Sequence, residues 1–374
     1  MIVAILVAVA GVALVLTVLY EAFQVMLLPR RGQRRARLVP LFFGTTWGAW
    51  SAVGRHFRNA ITREAFLSHY GPLSMVLLLV LWSGSLILGF GALQWAVHHG
   101  GPTPATFGAA LYTSGATFFT LGFGDFAPRA PIGEALAVIE SGTGFGLIAV
   151  IIGYLPVLYQ LFSRRETHVI LLDARAGSPP TGIALLLRHA RLESLGELDA
   201  LLHEWERWAA ELVESHLSYP MLGYYRSQYE NQSWLAALTA VLDTCAIVLT
   251  GLEGVPTFQA RMTFAAARLA VVEMVRVFRL HPREGAPTLL APSRLSTEEF
   301  VQLRRCLAEE GIPLTEPDAE ATLGAFRAAY EPFLVALATY LISPLPPWTA
   351  PDENLDNWQR SRHGREVKEL IDDA

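Results

Sequence analysis

Residues 120–125 read Thr-Leu-Gly-Phe-Gly-Asp and lie between two long apolar segments. Gly122 and Gly124 can adopt φ values closed to residues that carry a Cβ. With that freedom, consecutive carbonyls turn toward one axis while the side chains of Leu121 and Phe123 point away from it. Thr120 adds a hydroxyl at the inner end of this file and Asp125 a carboxylate at its outer mouth. Rings of such carbonyls, contributed by several chains, can replace the water shell of a cation. The acid favours cations at the entrance.

The short pattern gains its meaning from its surroundings. Gly89-Phe90-Gly91 and Gly144-Phe145-Gly146 repeat it, but both lie inside continuous apolar runs and neither is followed by an acid. They read as small residues that let membrane helices approach closely.

Working outward, 374 residues with 52% hydrophobic and 17% charged content, at a mean hydropathy of +0.34, are too apolar for an ordinary soluble protein and too charged to be wholly embedded. A membrane part and a soluble part are expected. Cys245 and Cys306 are far apart and form no CxxC or Cys/His spacing, so neither a disulfide scaffold nor a zinc site is indicated. Lys368 is the sole lysine among 29 basic residues, and the net charge of −5 leaves no nucleic-acid footprint.

Residues 2–28 are apolar except for Glu21 and Gln24. At about 1.5 Å per residue they can span a hydrocarbon core of about 30 Å. A cleavable signal peptide is disfavoured, because the positive n-region and a convincing cleavage site are missing. Arg30, Arg31, Arg34, Arg35 and Arg37, then Arg55, Arg58 and Arg63, place the following stretch in the cytoplasm and the N-terminus outside. Residues 39–53 are apolar but short, and read as a helix lying in the inner interface. A second span runs over 70–97, residues 101–104 break the helix, and 106–119 form a helix too short to cross. Pro128 and Pro131 close the loop after residue 125, and a third span occupies 133–162, ended by Arg164 and Arg165. The loop over 98–132 then lies on the outer face. The C-terminus of the short helix directs the negative end of its dipole at the cavity, which favours a cation there.

Through Ala110-Leu111-Tyr112, Ser114, Thr117, the stretch 120–125, Gly133 and the apolar helix that follows, residues 70–162 resemble the potassium channel pore module. In that superfamily an outer helix, pore helix, filter and inner helix repeat around a fourfold axis. The extra first span and the Leu-Pro-Arg-Arg turn at 28–31 resemble bacterial members. The resemblance implies an all-α membrane protein, a tetrameric potassium channel pore module with an extra N-terminal transmembrane helix and a cytoplasmic α-helical bundle. It implies K+ coordination by the carbonyls of Thr120, Leu121, Gly122 and Phe123, with Gly124 completing the outer turn and Asp125 at the mouth, where it can hydrogen-bond Tyr112. K+ is the permeant ion and no other cofactor is implied. Phe123 departs from the commoner tyrosine, and Ala116 stands where many relatives carry a buried acid that braces the filter. Ungapped, the family's hinge glycine falls on Gly144; either a hinge or tight packing fits. Glu140, one turn earlier on the same face, either lines the vestibule or is tied off against pore-helix hydroxyls such as Ser114 or Thr117, the structural role being preferred.

From residue 163 the pattern is helical, with candidate helices near 181–190, 195–216, 232–251, 257–280, 297–310 and 318–342. Ser296 and Glu299 form a capping-box signature and Pro282 marks the end of the fourth helix. Residues 233–252 tempt a fourth span, but Asp243 and the polar flanks favour a buried bundle helix. After 169–173 no glycine-rich strand-to-helix turn follows, so a nucleotide-binding domain is not indicated. His203, Glu204 and Glu206, or His189 and His216, could suggest a metal, but such residues on helices mostly face solvent or satisfy core hydrogen bonds. Tyr219, Tyr224, Tyr225, Tyr229 and Trp234 read as packing residues.

The organisation expected is therefore an N-terminal transmembrane helix (1–29), a basic interfacial segment (30–69), the pore module (70–162), a cytoplasmic helical domain (163–342) of unknown ligand, and a flexible tail (343–374). A homotetrameric, potassium-selective channel in a cell inner membrane is expected, its partners the lipid bilayer and K+. The rivals are a weakly selective cation channel and a non-conducting membrane-anchored sensor or scaffold. No nucleophile, base or metal constellation suggests an enzyme.

Overall fold

The computed structural model describes residues 1–26, 38–99, 106–124, 127–128, 130–192, 194–281, 294–349 and 356–359. The turn at 28–31, the arginines of 30–37, the break at 101–104, Asp125 and Pro282 lie outside the described residues. Among those described the chain is all-helical, and the one strand-like pairing is an isolated bridge between Leu252 and Leu314. It divides into two compact units, Met1–Gln160 and Leu161–Ala374.

The first unit holds α1 (Ile2–Met26), α2 (Leu38–Gly54), α3 (Ala60–Ser68), α4 (Tyr70–His98), α5 (Phe107–Phe118) and the first part of α6 (Pro131–Ala176). Three stretches are long and apolar enough to cross a membrane, Ile2–Met26, Ala60–His98 and Pro131–Ala176, in keeping with three expected spans. Along α4 the buried residues Tyr70, Ser74, Leu78, Trp82, Leu86 and Phe90 recur every fourth position and mark one packed stripe. Where α1 crosses this stripe, two glycines face each other: a Cβ on Gly11 would stand 2.7 Å from the Gly89 carbonyl, and one on Gly89 would stand 2.7 Å from Val15 Cγ2. Gly91 makes room for α5, since a Cβ there would lie 3.1 Å from Leu111 Cα. Gly89-Phe90-Gly91 is thus a packing element. The buried Glu21 of α1 accepts a hydrogen bond from Leu38 N at 2.9 Å, which caps the first turn of α2.

The helix α6 departs from the expected third span. It does not stop at Arg164 and Arg165 but runs to Ala176. Arginine is a good helix former, and Arg165 is buried, donating to the carbonyls of Leu222 at 2.8 Å and Tyr225 at 2.7 Å. Val169, Leu172 and Ala176 continue a buried face at helical spacing. Gly177, at φ +89°, ends the helix and returns its N–H to the Asp173 carbonyl at 2.9 Å.

The second unit adds α7 (Gly182–Arg191), α8 (Leu198–Ser218), α9 (Trp234–Leu249), α10 (Phe258–Val277), α11 (Thr297–Glu309), α12 (Ala319–Ala328) and α13 (Glu331–Leu341). Every residue of α9 from Trp234 to Val248 is buried, so this apolar helix is the centre of a bundle. The capping box forms, with Ser296 Oγ accepting from Glu299 N at 3.2 Å and Glu299 accepting from Ser296 N at 2.7 Å. The single helix expected over 318–342 is two, because Pro332 sits in the first turn of α13, where a missing N–H costs nothing.

Asp243, in the middle of α9, is matched by Arg294 at 2.6 Å and by the Tyr330 hydroxyl at 2.6 Å. Burial alone would lower the Arg294 guanidinium, but the charge and hydrogen bond of Asp243, helped by Glu331, hold it above its usual value. Burial, then Asp243, pushes the Tyr330 hydroxyl well up, so it stays a neutral donor. Of the tail expected over 343–374, residues 343–349 and 356–359 are described, and the first of these stretches is packed. Trp348 is 1% exposed, with the guanidinium groups of Arg294 and Arg327 each 5.5 Å from its ring centroid, and the Pro346 carbonyl accepts from Arg294 at 2.9 Å. Arg294→Met leaves Asp243 buried without its cation, and a loss of about 3–5 kcal/mol is expected. Thermal melting of the detergent-solubilised protein checks it, with a midpoint lower by roughly 10 °C.

Candidate functional site

The stretch 120–125 begins at the end of α5. Thr106 caps its start, accepting from Ala109 N at 3.2 Å, and its last turn tightens as Thr120 N reaches the Thr117 carbonyl at 3.0 Å and Leu121 N reaches the Ala116 carbonyl at 2.8 Å. The carbonyl end of this helix, with its partial negative charge, therefore abuts Thr120.

Beyond it the backbone alternates. Thr120 has φ +55°, Gly122 +65° and Gly124 +76°, while Leu121 and Phe123 keep ordinary negative φ. In an ordinary strand successive carbonyls point to opposite sides; alternating left- and right-handed residues bring them to one side. For a β-branched residue such as Thr120, positive φ is strained, at a cost of order 1–3 kcal/mol. At Gly122 and Gly124 a Cβ would meet nothing within 4 Å, so glycine is required there by conformation and not by space. In the single chain the whole stretch 120–124 is exposed. Asp125 lies outside the described residues.

Two contacts one helical turn apart seat α5 on α6. Ser114 Oγ donates to Glu140 Oε1, and also reaches the Ile87 carbonyl of α4 at 2.7 Å. Glu140 is fully buried, so of the two roles open to it the tie to Ser114 is the one adopted. Four residues further along both helices, a Cβ on Gly144 would stand 2.2 Å from the Phe118 carbonyl. Gly144 is therefore a close-packing glycine at the base of the filter, whereas a Cβ on Gly142 or Gly146 would meet nothing within 4 Å. At the other end, Gln94 Nε2 of α4 donates to the Gly133 carbonyl at 3.0 Å, and Gly133 leaves room for His98. Pro156 lies inside α6 and removes one donor from its ladder, a local weak point that the sequence reading passed over.

The remaining candidates belong to the second unit. His203 Nδ1 lies 3.6 Å from Glu206 on an exposed surface, and the buried His189 and His216 spend Nδ1 on carbonyls one turn back, at 2.8 and 2.9 Å. Burial, then the charge of Arg165, pushes His216 down to about 3, so it stays neutral at neutral pH. Among the described residues no group of three His, Cys, Asp or Glu is placed to hold a metal. Tyr224 packs on Phe278 and shares a 2.8 Å hydrogen bond with Tyr340, and Tyr225 packs on Phe162.

Residues 75–160 match the family model described as Ion channel. This supports an ion-channel module of the pore-loop superfamily within a helical membrane protein. The chain is also 27% identical, over 272 residues, to YdjJ of Bacillus subtilis (strain 168), described as an uncharacterized membrane protein; the likeness covers 70% of this chain and 78% of that one. An alignment of this length cannot lie within either unit alone. No solved structure matches.

Gly144→Val drives a side chain into the Phe118 carbonyl and is expected to lower the melting midpoint by several degrees and to impair assembly. Gly142→Ala, measured in the same scan, is expected to shift it by less than about 2 °C, the scale of a helix-interior Gly→Ala change.

Proposed function

We propose that the chain is one subunit of a homotetrameric, potassium-selective channel that conducts K+ passively. In this reading the carbonyls of Thr120, Leu121, Gly122 and Phe123 coordinate K+, Gly124 completes the outer turn, and Asp125 stands at the mouth. The observation that supports it is the alternation of φ from Thr120 to Gly124 at the negative end of α5, a backbone pattern able to turn successive carbonyls to one side. One filter strand per chain calls for a ring of subunits. The positive-inside reading puts the N-terminus outside, the filter loop on the outer face of an inner membrane, and the second unit in the cytoplasm, where its bundle gates or stabilises the pore. Phe123 contributes through its main chain, so loss of the tyrosine hydroxyl leaves the ion contacts in place.

Flux from reconstituted vesicles tests this. Potassium-loaded vesicles are expected to release K+, and Gly122→Asp, which cannot take the same backbone conformation without strain, is expected to abolish release. Equal leak from both proteins contradicts the channel. In mixed potassium and sodium the reversal potential is expected to report at least about tenfold preference for K+, a difference of about 1.4 kcal/mol. A reversal potential near zero identifies the weakly selective cation channel instead.

A further inference from the structure

The cytoplasmic end of α6 carries a buried carboxylate, Asp173, that collects hydrogen bonds from two sources. Its own neighbourhood supplies Ser178 Oγ and Gln232 Nε2, the latter at 2.5 Å. The rest come from near the C-terminus, with Asn357 Nδ2 at 3.2 Å and Trp358 N at 3.2 Å. Beside it, Arg188 of α7 bridges the same two parts. Its guanidinium donates to the Ala174 carbonyl at 2.6 Å, one of the last of α6, and pairs with Asp356 at 2.8 Å. Asn357 Nδ2 also donates to the Glu230 carbonyl at 3.0 Å.

This second attachment differs in kind from the first. At Trp348 the chain is anchored by an aromatic ring that is 1% exposed. Over 356–359 the buried residues are Asp356 and Gln359, both polar, and Trp358 remains 38% exposed. The segment is held by hydrogen bonds and one ion pair, whose partners water can replace on release, whereas release at Trp348 would expose a buried aromatic ring. When the segment releases, Asp173 keeps Ser178 and Gln232 and is not left bare. Held and released arrangements of this segment meet at the last turns of the helix that also carries Glu140, Gly144 and Pro156.

We propose that residues 356–359 are a releasable clasp on the cytoplasmic end of α6, and that its release shifts the channel between its closed and conducting states. This rests on the channel reading above. A device that biases a two-state pore alters occupancy and leaves the conduction path untouched.

Single-channel recording in planar bilayers, on the full chain, Asn357→Ala, Trp358→Pro and a chain ending after residue 355, tests it. Each variant is expected to change open probability by at least about threefold, all in the same direction, with unit conductance and selectivity unchanged. Adding a synthetic peptide of residues 350–374 to the shortened channel is expected to restore the original open probability. Particle mass and melting midpoint identify variants that remain folded. Unchanged open probability in folded variants, or no restoration by the peptide, overturns the clasp while the channel stands. A full chain that passes no current overturns the channel reading itself.

Discussion

A dehydrated cation needs oxygen on all sides at once, and one strand of backbone offers oxygen on one side only. In the proposed channel the first unit is arranged to meet that constraint. Every second residue from Thr120 to Gly124 has positive φ, a conformation that glycine takes freely and Thr120 takes under strain. Such a strand does not hold itself. It is held at its inner end by α5, whose seating on α6 is fixed by the hydrogen bond from Ser114 to Glu140 and by the close approach of Gly144 to the Phe118 carbonyl. The other sides of the carbonyl ring come, in the proposed assembly, from further copies of the chain.

The helix on which α5 is seated also enters the second unit. Because α6 continues to Ala176, its last turns belong to the core of the second unit, where Val169 and Leu172 are buried and Arg165 is bonded to backbone carbonyls. A buried arginine with its donors satisfied in this way is an anchor, and replacing it would strand both carbonyls.

Much of the pore was legible in the sequence because its demands are local. Gly122 and Gly124 announce a φ requirement, hydropathy announces spans, and Ser296 with Glu299 announces a helix start. The decoy glycines were legible for the same reason, as small residues in apolar runs. What could not be read was whatever depends on a partner distant in sequence. The resemblance puts a hinge or a packing glycine at Gly144, and only the approach of Phe118 shows close packing there and not at Gly142 or Gly146. Arg164 and Arg165 resemble a membrane boundary until Leu222 and Tyr225 supply carbonyls for Arg165. The proline-rich residues after 343 look unstructured until Arg294 and Arg327 supply cations for the Trp348 ring. Pro332 is the exception, since its preference for a first helical turn is local and was there to be weighed.

The requirement for oxygens on every side makes subunit number the most direct check. The mass of the detergent-solubilised particle, corrected for bound detergent, is expected to be four times the 41.1 kDa of one chain. A stable monomer or dimer, in protein that retains its helical content, would leave the carbonyls of 120–124 without a ring to complete and would contradict a carbonyl-lined pore.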